Sequence, residues 1–253
     1  MEKLVVGNLK MNILSPLERE QYFKAFKKGM IGKKLSRTGI VLCPPAVHLE
    51  AFKKLKSKKT DIGAQNMFWE RAGSYTGEIS PAMIKNLGAE YVIVGHSERR
   101  HYFCEKNEEV NLKVVSALRS GLNPIICVGE TKTEKAGGQT LRVVSKQVKD
   151  ALTGVSRVKA EQIIIAYEPV WAIGSGTVPT AHEVMEAKVL IRKILVDIFD
   201  KKYANLVKIL YGGSVNAKTV KEVCVESGMD GALIGGESLI PFEFIKIAEI
   251  ING

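Results

Sequence analysis

With 253 residues, 45% hydrophobic and 25% charged, the chain has ordinary globular composition and is neither a disordered segment nor a fibrous repeat. No stretch approaches the roughly 20 apolar residues that span a bilayer. Met1-Glu2-Lys3 runs directly into Leu4-Val5-Val6 without the apolar core of a secretory signal, so a cytoplasmic protein with no membrane partner is expected. The formal charge of +10 suggests nucleic acid, but of 37 basic and 27 acidic residues, 14 and 4 fall in the first 60, leaving 23 of each elsewhere. The pairs Lys27-Lys28, Lys33-Lys34, Lys53-Lys54 and Lys58-Lys59 sit on polar faces and ends of two expected helices. Without interleaved aromatics or a binding motif they read as solvated surface, and no nucleic-acid partner is expected.

Short apolar runs in chain order are Leu4 to Gly7, Gly39 to Cys43, Asp61 to Ala64, Tyr91 to Gly95, Pro124 to Val128, Gln162 to Tyr167, Lys208 to Tyr211 and Ala232 to Ile234. Near-continuous apolar character fits parallel strands buried on both faces. Helical patterns alternate with them. Asn107 is expected to cap a helix through Val110, Val114 and Leu118 that ends at Gly121. Leu141, Val144, Val148 and Leu152 form a second, core-facing stripe. Thr180 and Glu183 form a capping-box pattern ahead of Val184, Ala187, Ile191, Leu195 and Ile198. Eight such units at regular spacing predict one α/β domain over residues 1–253, an eight-stranded parallel (β/α)8 barrel with outer helices; a long doubly wound sheet is the alternative.

Cys43, Cys104, Cys127 and Cys224 form no C-x-x-C pair, and His48, His96, His101 and His182 make no ligand spacing with them. Reduced, mostly buried thiols and no metal are expected.

In either architecture the chemistry belongs beyond the C-terminal ends of the strands. The first strand delivers Gly7-Asn8-Leu9-Lys10-Met11-Asn12, where Lys10 reads equally as a surface lysine or a functional ammonium. The fourth delivers Gly95-His96-Ser97-Glu98-Arg99-Arg100. An imidazole at a helix start feels a positive dipole that disfavours imidazolium, so neutral His96 would donate a hydrogen bond, with Glu98 and Arg99 as an orienting network. The sixth delivers Glu168, opening an apolar loop between Pro169 and Gly174-Ser175-Gly176 that could close as a lid and desolvate the carboxylate. The seventh and eighth end in Gly212-Gly213-Ser214 and Gly235-Gly236, positions where barrels bind phosphate through N–H groups. A dinucleotide fingerprint is not present.

These motifs, in this order over essentially the whole chain, resemble the triosephosphate isomerase family, whose fold is the TIM barrel. The resemblance implies cofactor-free interconversion of dihydroxyacetone phosphate and glyceraldehyde 3-phosphate, in glycolysis and gluconeogenesis. It implies Glu168 as base, a role paired with a neutral histidine in the standard example this family provides. His96 would polarise the carbonyl and shuttle protons, and Asn8 and Lys10 would stabilise enediolate charge. Gly174, Ser214, Gly235 and Gly236 would hold the phosphate. It also implies a homodimer or tetramer through a loop from Gln65 to Glu78, with Thr76 supporting the partner's Lys10 region and Met67, Phe68 and Trp69 suited to burial by a partner. Three residues depart from the family pattern. Leu9 stands where Trp is usual, Thr177 where a lid-hinge Lys is usual, and Glu237, where a small residue is usual, is expected to face away from the site. An aldolase using Lys10 as a Schiff-base amine and a non-enzymatic binding protein are the competing readings.

Overall fold

A computed structural model describes residues 3–173 and 177–253. Its strands are β1 (Lys3–Asn8), β2 (Thr38–Cys43), β3 (Thr60–Ala64), β4 (Tyr91–Val94), β5 (Asn123–Val128), β6 (Ile164–Tyr167), β7 (Lys208–Tyr211) and β8 (Gly231–Ile234). All pair in parallel with their sequence neighbours, and β1 closes on β8 through Leu4 to Gly7 against Gly231 to Ile234. The closed sheet settles the choice between barrel and doubly wound sheet.

Both strand faces are buried, for different reasons. Leu4 and Val6 of β1, Val41 and Cys43 of β2, and Leu210 and Leu233 point into the barrel and fill it. The alternate positions, such as Val5, Ile40 and Leu42, pack outward against the helices. A period of two on a sheet covered on both sides therefore appears as an unbroken apolar run.

The helices are α1 (Pro16–Met30), α2 (Leu49–Phe52), α3 (Pro81–Asn86), α4 (Ser97–Tyr102), α5 (Asn107–Arg119), α6 (Lys132–Ala136), α7 (Thr140–Ala151), α8 (Ala181–Ala204) and α9 (Pro241–Asn252). The Thr180 cap forms as expected: its hydroxyl accepts from Glu183 N at 3.3 Å and the Glu183 carboxylate accepts from Thr180 N at 3.0 Å. Near its end α8 is interrupted at Asp200, whose φ is +70°.

Three local expectations are corrected. Lys106, not Asn107, caps α5, with its N–H donating to Glu109 at 2.7 Å. Asn107 is already helical, because its amide is drawn between Arg100 Nη1 at 2.6 Å and Asp150 Oδ2 at 2.7 Å. Gln162 closes a two-turn 3₁₀ helix, Arg157–Gln162, and β6 begins two residues later. Leu141, in the first turn of α7, is 63% exposed while Val144, Val148 and Leu152 are buried, so the stripe reaches the core one turn later. Of the four thiols, Cys104 is exposed and the other three are buried.

Candidate active site

The turn after β1 places Lys10 in a left-handed conformation, φ +51°, uncommon for a residue with a side chain. Three contacts impose it. Lys10 N donates to Asn8 Oδ1 at 3.1 Å, and Gln65 Nε2 donates to both Lys10 O at 2.9 Å and Cys43 O at 2.8 Å. Lys10 Nζ then lies 2.5 Å from Glu98 Oε1 and lines a cavity of about 320 Å³ with Asn8, His96, Ser214, Gly235 and Gly236. A side chain on Gly235 would meet Lys10 Cε at 3.1 Å, so the bare backbone lets the ammonium lie across the mouth. Lys10 is thus part of the cavity lining, paired with a carboxylate across the barrel mouth.

His96 is the N-cap of α4, and its Nδ1 accepts from Glu98 N at 3.2 Å. An imidazole accepting at Nδ1 carries its proton on Nε2, which is the donor facing the site. Glu168 is 1% exposed. Its Oε2 accepts from Ser97 N at 2.9 Å, and its Oε1 lies 3.1 Å from His96 Nε2 without hydrogen-bond alignment. The carboxylate thus sits on the histidine, beside the cavity rather than in its lining.

Glycine permits that position. A Cβ on Gly212 would stand 2.8 Å from Glu168 Cγ, closer than real Cβ contacts allow. Gly212→Ala is expected to displace the carboxylate and lower kcat by about tenfold to a hundredfold, the scale attached to an ångström of misplacement. A steady-state assay beside a thermal melt checks this; unchanged kcat in a folded variant contradicts it.

The loop after β6 is held by a group that strand-end reasoning on Glu168 overlooked. Glu130 is 1% exposed and accepts from Trp171 Nε1 at 2.8 Å and Tyr167 Oη at 3.1 Å. Burial, and then the Glu130 carboxylate, push the Tyr167 phenol above its ordinary range, so it remains a donor. Lys135 Nζ sits 3.3 Å over the Trp171 ring and pairs with Glu183 at 2.8 Å. Ser214 Oγ donates to Ala172 O at 3.2 Å, tying the expected phosphate turn to the loop. Glu130 follows β5 by one glycine, so the same strand-end rule could have found it.

The site therefore gathers Asn8, Lys10, His96, Ser214, Gly235 and Gly236 around one cavity, with Glu168 adjoining. Gly174, expected on the phosphate, lies outside the described residues. Glu237 follows Gly236 in a single helical turn and is among the residues that line the cavity. Leu9 is fully buried and acts in packing.

The family model described as Triosephosphate isomerase matches residues 3–251. The chain belongs to the triosephosphate isomerase family. It is 46% identical over 246 residues to the Triosephosphate isomerase of Dictyoglomus turgidum, covering 97% of this chain and 98% of that one. It is similar also to those of Thermoanaerobacter pseudethanolicus, 44% identical over 245 residues (96% and 97% covered), and Endomicrobium trichonymphae, 43% identical over 247 residues (97% of each covered). Against the triosephosphate isomerase resemblance drawn from the motifs, one detail of the Gln65 to Glu78 loop changes: Met67 is buried within its own chain, at 1% exposure, because it packs into the core beneath the loop.

Proposed function

We propose that this chain, read as one domain, interconverts dihydroxyacetone phosphate and D-glyceraldehyde 3-phosphate through an enediolate, with no cofactor. The observation that carries the residue roles is the 3.1 Å approach of the buried Glu168 carboxylate to His96 Nε2. Glu168 takes the proton from the carbon beside the carbonyl and returns it to the neighbouring carbon. His96 Nε2–H polarises the carbonyl, and the imidazole then moves protons between the two oxygens. Lys10 and Asn8 stabilise the negative charge that develops on those oxygens. The turns of Ser214, Gly235 and Gly236, with Gly174 from the loop, hold the phosphate through N–H groups. Entry of substrate between His96 and Glu168 must separate the pair and free the base. Closure of the loop that Glu130 holds back would then exclude water and guard the intermediate from phosphate loss.

The aldolase reading loses support from the geometry of Lys10. An ammonium donating to Glu98 at 2.5 Å has no lone pair for attack on a carbonyl. Borohydride added with dihydroxyacetone phosphate should leave the enzyme unmodified while glyceraldehyde 3-phosphate turns over rapidly in a coupled assay. A trapped adduct at Lys10, or no turnover, would reject the proposal.

For a self-partner we propose the groove of about 650 Å³ on the other side of Lys10, lined by Met11, Gln65, Glu98, Tyr102 and Phe103 among others. Met11 is 89%, Tyr102 71% and Phe103 67% exposed, an apolar rim unusual for a lone surface. The 65–78 loop carries an aromatic cluster suited to insertion, with the Phe68 ring tilted against Trp69 at 4.1 Å and Tyr75 at 4.5 Å between centroids. Phe103→Asp should shift a dimer toward monomer in sedimentation and reduce activity, because the partner loop supports the Lys10 turn. An unchanged dimer would exclude this surface. The free thiols fit a reducing, cytoplasmic compartment.

A further inference from the structure

Residues 21–60 carry eleven Lys or Arg against Glu50 alone, and the fold collects the cationic ends of this stretch at one pole. Parallel strands begin at a common rim. The segment after α1 leads into the start of β2 at Thr38, and the segment after α2 leads into the start of β3 at Thr60. The two segments are joined there: Ile40 N donates to Lys59 O at 2.8 Å and Lys59 Nζ to Ser36 O at 3.1 Å. This rim is the end of the barrel opposite the cavity of Lys10 and His96.

The acids that reach the rim are already engaged. Glu249 pairs with Lys33 at 2.9 Å, while Asp61 and Glu90 pair with Lys56 at 3.4 Å. Among the described residues Lys27, Lys28, Lys34, Lys53, Lys54 and Lys58 are exposed and make no ion pair. Complementarity to a helix C-terminus accounts for Lys27 and Lys28 in the last turn of α1, but not for the others. Crowded like charges repel one another within a Debye length of about 8 Å, a cost that an anionic partner relieves.

One apolar side chain stands in this field. Ile31, the C-cap of α1, is 77% exposed between Lys27-Lys28 and Lys33-Lys34. Gly32 follows with φ +74° and nothing within 4 Å of its Cβ position, so a left-handed turn in open space holds the isoleucine outward. An aliphatic tip ringed by lysines is the chemistry of an anionic membrane surface: ammonium groups meet lipid phosphates while the side chain enters the acyl boundary. Single-stranded RNA would instead call for exposed aromatic faces, and the aromatics of residues 21–60, Tyr22, Phe23, Phe26 and Phe52, are all buried, at most 6% exposed.

We propose that the N-terminal rim of the barrel docks on anionic lipid surfaces, with Ile31 as the inserted residue and the lysines of 27–34 and 53–58 as phosphate contacts. The catalytic mouth faces away and stays open to substrate. The test is flotation of the full chain with phosphatidylcholine vesicles, with and without phosphatidylglycerol, at about 0.05 M and about 0.5 M salt. Binding is expected only with phosphatidylglycerol and at the lower salt. Ile31→Ser should weaken it about tenfold, the scale of one aliphatic side chain. Joint replacement of Lys27, Lys28, Lys33 and Lys34 by Gln should weaken it at least about a hundredfold, each lysine contributing about fivefold. Isomerase activity, which uses none of these residues, reports that both variants are folded. No binding to phosphatidylglycerol vesicles overturns the proposal. So does binding that is indifferent to Ile31→Ser and equally strong to single-stranded RNA, which would make the rim a general polyanion surface.

Discussion

Glu168→Gln is expected to lower kcat by at least about 10² to 10⁴, the usual contribution of a positioned general base. The replacement changes little else. An amide oxygen can still accept from Ser97 N, as the carboxylate does at 2.9 Å, and the side chain still fits against the bare backbone of Gly212. What disappears is the capacity to take a proton from carbon. KM should change much less, because the cavity that would receive the phosphate is lined by Ser214, Gly235 and Gly236 and not by Glu168. A loss confined to kcat identifies a group that acts in the transition state rather than in binding. Coupled assays of wild type and variant decide the matter, and equal kcat values would remove Glu168 from the mechanism.

The largest expected effect on stability comes from Lys113→Met. Lys113 is 4% and Glu105 7% exposed. Lys113 Nζ is bonded to Glu105 Oε1 and, at 2.8 Å, to Asn66 Oδ1 at the root of the 65–78 loop; Arg99 Nε reaches the same carboxylate oxygen at 3.1 Å. Among the described residues Glu105 Oε2 has no hydrogen-bond partner. Removing the lysine leaves a buried carboxylate with one cation, a loss of about 3–5 kcal/mol, or about 6–20 °C in Tm for a domain of this size. Glu105→Leu added to Lys113→Met should recover much of it, since an apolar pair leaves no charge uncompensated.

The same pair carries a pH signature. Burial raises the Glu105 carboxyl, but Lys113 and Arg99 outweigh it and leave the folded-state pKa below the ordinary Glu value of about 4.3. A depressed folded pKa means stability that is present above the unfolded pKa and is lost as pH falls through the folded one. In Lys113→Met, burial pushes the carboxyl up with only Arg99 opposing, so protonation relieves the strain at lower pH. The gap between wild type and variant should therefore be widest near neutrality and narrow in acid. Urea unfolding at both pH values measures it; a pH-independent gap would show that the pair is not the origin.

Local patterns in the chain determined the eight parallel strands and which residues follow each of them, and closure of the sheet decided the barrel. Eight apolar runs at regular spacing fit strands buried on both faces, and parallel strands bring all their C-terminal ends to one side. Asn8, Lys10, His96, Glu168 and the glycine turns, each placed by its position just past a strand, could therefore be found without coordinates. Tertiary structure decided how those groups engage. The bond from Ser97 to Glu168 spans 71 residues, that from Lys10 to Glu98 spans 88, and that from Trp171 to Glu130 spans 41. Periodicity and capping describe neighbours along the chain and are silent on which carboxylate meets which cation across the barrel. For the same reason the basic runs of the first 60 residues, solvated faces when read singly, became one charged rim around Ile31 only when β2 and β3 started side by side.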